Sequence, residues 1–76
     1  MGITDDIADE LALETLRLEK ETGDEEIAKK VAEILGASSQ TTQEAFLTSM
    51  RVRRAEIRAR DYLAGKSGDV AKPESA

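Results

Sequence analysis

Five arginines fall within ten residues, in the run RVRRAEIRAR at 51–60. A guanidinium is a planar, permanently charged fork that grips carboxylate or phosphate through two parallel hydrogen bonds, which a lysine cannot do. At helical spacing Arg51, Arg54 and Arg58 share one face, and Arg53 and Arg60 share another. The chemistry on offer is recognition of an anion. Met50 and Ile57 add apolar anchors beside the first face. The group Met50, Arg51, Arg54, Ile57 and Arg58 is therefore the candidate partner-binding surface. Its apolar members would give affinity, and its arginines orientation and specificity.

Other chemistry has little to work with. The chain holds no histidine and no cysteine, which removes Ser-His and Cys-His nucleophile pairs, imidazole bases, thiolate metal sites and disulfides. Carboxylates abound, but Glu10 and Glu14 on one face have no apolar pocket to shift their pKa toward acid-base work. The GKS at 65–67 resembles the end of a phosphate loop, yet the glycine that loop needs at position 60 is Arg60. GDEE at 23–26 lacks the alternating ligands of a calcium loop. The reading is a non-enzymatic protein with no metal and no cofactor.

The segment AKKVAEILGASSQTTQEAFL (28–47) carries the other functional possibility. Small Ala32 stands one turn before Gly36, Val31 and Leu35 are apolar, and SSQTTQ supplies polar side chains suited to base edges and phosphates. The segment resembles the helix-turn-helix of DNA-binding repressors over about a quarter of the chain. That resemblance implies DNA contacts from Ser38, Ser39, Gln40, Thr42 and Gln43, with Arg51, Arg53 and Arg54 nearer the phosphates. It departs from the pattern at Thr42 and Ala45, where branched apolar residues would lock the second helix onto the first. A plain bend between helices of a bundle explains the same residues and is the preferred account.

Charge is divided along the chain. Residues 1–36 carry eleven acids against four bases, and residues 41–63 five arginines against three acids. Acidic and basic helices pairing with each other is the plain consequence, and an exposed arginine face the sharper one. The whole chain has a net charge of −5, which disfavours binding to phosphates. A third reading has Asp6, Glu10 and Glu14, one acidic stripe, occupying a basic nucleic-acid-binding site on a partner.

These residues need helices to hold them. The spacing predicts a first helix from Thr4 or Asp5 to about Thr22, with acids in its opening turns and Gly23 as its stop. Its stripe reads Ile3, Ile7, Leu11 and Leu18, widened by Ala8, Leu13 and Leu16. Asp24 caps a second helix, EEIAKKVAEIL, with an apolar face of Ile27, Val31, Ile34 and Leu35, ending at Gly36. Thr41 and Glu44 form a capping box for a third helix that runs to Gly65, with Phe46, Met50 and Ile57 in line.

The expectation is an all-α fold, a small three-helix bundle made of a short helix hairpin and a longer third helix. Residues 1–64 form its single domain and 65–76 a disordered tail rich in small and polar residues. With 76 residues and two aromatic side chains, the core is small. The overhang of the third helix favours a homodimer. No apolar run reaches membrane-spanning length and no signal segment is visible, so no membrane role and a cytoplasmic location are expected. The functional expectation is a small regulatory or adaptor protein that binds a protein partner by a helix face. The alternative is a DNA-binding regulator.

Overall fold

The computed structural model describes residues 2–74, with side-chain surroundings for 2–67. It is all-α, with three helices in the order α1 (Ile3–Thr22), α2 (Glu26–Ser38) and α3 (Gln40–Glu74). Gly23 closes α1 in the left-handed conformation, φ 76°, and its N–H donates to the Glu19 carbonyl at 2.7 Å. A side chain there would be strained, which is why glycine makes the stop. Asp24 then begins the next helix through Oδ1, which accepts from the Glu26 N–H at 2.9 Å.

The α2–α3 junction differs from the expectation in three ways. Gly36 does not end α2, which runs on to Ser38. Its φ is not positive; it is needed for space instead. A Cβ on Gly36 would stand 2.8 Å from Cδ of Gln43, whose Nε2 donates to the Ala32 carbonyl at 2.9 Å. The third helix is capped by Ser39, not by Thr41. Ser39 Oγ accepts from the Thr42 N–H at 3.1 Å and lies 2.9 Å from Thr42 Oγ1. Ser39 can do this because it alone leaves helical geometry, at φ −154° and ψ 103°, as an N-cap residue must. Glu44, the intended partner of Thr41, accepts from Gln40 Nε2 at 3.3 Å instead.

The core is narrow. Ala8 and Ala12 of α1, Ala32 of α2, and Phe46 and Met50 of α3 are buried, with Thr15 beside them. Leu11, Leu16, Val31 and Leu35 pack around this group from α1 and α2. On α1 the buried line is therefore Ala8, Ala12 and Thr15, and the expected stripe is displaced by part of a turn. Ile3 is 74 % exposed, and Ile7 and Leu13 also face outward. The reason is Phe46, the largest fully buried side chain: its ring can approach α1 only where the opposing side chains are small. On α2, Ile34 of the expected face is likewise exposed, and Ala32 is buried in its place.

Helix α3 does not stop at Gly65 but continues to Glu74. Glycine weakens a helix by about 1 kcal/mol, which need not end one whose neighbours tolerate helix. The backbone is thus helical through most of the span expected to be a disordered tail; residues 75–76 lie outside the described residues. At 35 residues, α3 measures about 52 Å, well beyond the roughly 30 Å of the 20-residue α1. The radius of gyration is 16.4 Å, against about 11 Å for a compact chain of this length. The molecule is a short bundle with a protruding arm.

Candidate interaction surface on the third helix

The arginines of α3 divide into two sets according to what α1 offers them. Arg53 points back across α1 and holds Asp9 through two bonds, Nε to Oδ1 at 3.0 Å and Nη2 to Oδ2 at 2.6 Å. Its third nitrogen, Nη1, donates to Glu56 Oε1 at 3.0 Å, and Glu56 Oε2 accepts from Arg60 Nε at 2.9 Å. The result is a continuous chain of four charges, Asp9–Arg53–Glu56–Arg60. The Arg53 hydrogen bonds hold the Asp9 carboxyl below its ordinary 3.8. Arg60 first, and then Arg53, hold Glu56 below its ordinary 4.5. The Arg53 guanidinium is correspondingly harder to deprotonate, chiefly because of Asp9. Arg54 reaches both carboxylate oxygens of Glu19 at 3.2 and 3.3 Å, and the Glu19 side chain is largely covered.

Arg51 and Arg58 differ. Both are exposed, and among the described residues neither makes an ion pair. They lie two turns apart on one side of α3, so their forks point to solvent together. Ile57, 46 % exposed, continues the line of Phe46 and Met50 past the end of the core. Met50, expected as an apolar anchor for a partner, is itself in that core at 4 % exposure. Arg54 is committed to Glu19. Of the five residues proposed from sequence, the structure leaves Arg51, Ile57 and Arg58 free to meet another molecule. Tyr62 and Leu63, both exposed, add apolar surface farther along the same helix.

The residues of the helix-turn-helix resemblance are placed differently from what DNA contact requires. Ser39 and Thr42 are tied to each other at the α3 cap, and Gln43 is turned into the α2 contact. Arg53 and Arg54 are paired with α1. Only Ser38, Gln40 and Arg51 of that set are exposed. One residue, Ser39, separates α2 from α3, where a helix-turn-helix uses a turn of three to four.

Sequence reasoning missed the two cross-helix pairs individually, although the split of acids and bases between 1–36 and 41–63 announced them as a class. A cleft lies where the start of α1 meets α3, lined by Asp5, Asp6, Asp9, Thr48 and Ser49. Among the described residues no group of three or more acidic side chains is placed to hold a metal ion. No helix among them is long and apolar enough to cross a membrane. No family model matches this chain, and no curated protein or solved structure matches it either.

Proposed function

We propose that the protein is a non-enzymatic regulatory or adaptor protein that binds an acidic protein partner through α3. The observation that supports this reading is the contrast within one arginine run. Arg53 and Arg54 have carboxylate partners on α1, while Arg51 and Arg58 extend into solvent beside half-exposed Ile57. A solvated arginine pair next to apolar surface suits a partner helix that brings carboxylates and an apolar ridge. The partner's apolar side chains would bury Ile57, and its carboxylates would take the two forks.

Affinity capture with the full chain as bait tests this. Arg51→Glu/Arg58→Glu is compared with wild type and with Lys29→Glu/Lys30→Glu, which applies the same charge change on exposed positions of α2. The reading expects at least one protein held by wild type and by the α2 variant but lost from the α3 variant. Identical capture by all three baits would overturn it.

The helix-turn-helix reading keeps one supporting feature, the polar run at 38–43, and it makes a separate prediction. Binding to a labelled mixed-sequence duplex, followed by fluorescence anisotropy, would fall steeply with salt, and Arg51→Ala would flatten the slope. Absence of binding at low salt would remove it. With net charge −5 and most of its proposed contacts tied up internally, this reading ranks second.

A further inference from the structure

The outer side of α3 is apolar over residues 52–63, and among the described residues neither α1 nor α2 covers it. Nine residues advance a helix by two and a half turns, so Ala55 stands opposite Phe46 and Ala59 opposite Met50. Flanking these two exposed alanines are Val52, Tyr62 and Leu63, each 60 % exposed or more. Val52, Ala55, Ala59 and Tyr62 follow one another at three, four and three residues, the spacing of a coiled-coil seam. This seam is a separate face from the one that packs on α1 and α2.

The surface area indicates what is missing. The chain exposes 5756 Å², against about 4,600 Å² for a compact monomer of its mass. The seam lies on the arm that carries this excess, and an interface of standard size takes about 800 Å² from each partner.

We propose that a second copy of this chain covers the seam, with the two α3 helices packed antiparallel about a two-fold axis near residue 57. In that register Val52 meets Tyr62 of the second copy, and Ala55 meets its Ala59. The alanines let the helices close in at the centre, and the larger side chains seal both ends. The same register carries Lys66 of the second copy to a point opposite Thr48. There it stands at the mouth of the cleft lined by Asp5, Asp6 and Asp9. Two-fold symmetry repeats this contact at the other end. A parallel pair would instead bring the two acidic α1 starts to the same end of the pair and place Lys66 against Lys66 of the second copy, so charge selects the antiparallel arrangement.

One consequence concerns the arginines: Arg51 and Arg58 from both copies fall on the same flank of the antiparallel pair, forming a row of four. That consequence rests on the docking function proposed above. The dimer does not, and capture and mass measurements can fail independently.

Light scattering of the full chain over a range of concentrations should give a mass approaching twice 8.3 kDa. Ala59→Glu, at an exposed position, should return it to the single-chain mass with an unchanged helical circular dichroism spectrum. The chain has no cysteine, so Ala55→Cys and Ala59→Cys variants can be mixed and oxidised without background. The proposal expects the mixed 55–59 disulfide to predominate, and that readout does not depend on the glutamate variant folding. A single-chain mass at every concentration, a dimer that survives Ala59→Glu, or a predominance of 55–55 and 59–59 disulfides would each overturn it.

Discussion

Gln43 looks like a surface residue in the sequence, a polar side chain in a polar run. In the structure its amide donates to the Ala32 carbonyl and covers Gly36. This gives Gly36→Ala an effect that depends on its neighbour. Alanine favours a helix over glycine by about 1 kcal/mol, but here its Cβ displaces the Gln43 amide. Urea unfolding should therefore show Gly36→Ala neutral or destabilising in the wild-type background, and stabilising by about 1 kcal/mol once Gln43→Ala has cleared the space. Additive effects would mean the contact carries no weight. Arg53 offers a second test at this scale. Asp9 and Glu56 titrate below their ordinary values because of their arginine partners. Their contribution is complete at neutral pH and is lost as pH falls through those lowered values. Arg53→Met should flatten the acid side of the stability curve, so that the two proteins differ most near pH 7 and converge well below pH 4. A constant gap across that range would contradict the pairing.

At the scale of elements, the three helices were legible in the sequence because their signals are local. Gly23 stops α1, and Asp24 initiates α2, as their positions suggested. The α2–α3 corner was not, because two capping solutions compete within five residues. A Thr41–Glu44 box and a Ser39–Thr42 cap differ only in which residue leaves the helix, and packing of Gln43 against α2 decides in favour of Ser39. Ser39→Ala should cost about 1 kcal/mol in thermal or urea unfolding, the usual value of a lost N-cap. Thr41→Ala should cost a few tenths or nothing. The reverse order would restore the cap at Thr41. The α1 stripe was misplaced for a related reason. Hydrophobicity ranks Ile3 and Ile7 above Ala8 and Ala12, but Phe46 needs small neighbours, and that requirement is set by a helix more than thirty residues away.

For the whole molecule, the sequence showed that helices of unequal length would leave α3 uncovered, but not which of its side chains would remain free. Composition assigned five arginines to one basic segment; only folding shows that Arg53 and Arg54 pair with carboxylates of α1 while Arg51 and Arg58 face outward. The core behind them depends on a single aromatic ring. Phe46→Ala should cost about 3–5 kcal/mol, a large share of the roughly 4–11 kcal/mol available to a chain of this size. Most of the cooperative thermal transition should vanish. A variant that still melts within a few degrees of wild type would show that Phe46 is not the centre of the fold. The same narrow core explains why the distal arm of α3 offers apolar surface to other molecules: little of α1 or α2 remains to cover it.

The central claim is that this arm is a contact surface that a second chain covers. Amide hydrogen exchange across residues 57–64 tests it most directly. Wild type, at concentrations where light scattering reports a dimer, is compared with Ala59→Glu. The account predicts near-unfolded exchange rates for these amides in the variant and at least roughly tenfold slower exchange in wild type, with residues 43–53 protected in both. Equal exchange in the two proteins across residues 57–64, whether fast or slow, would contradict it.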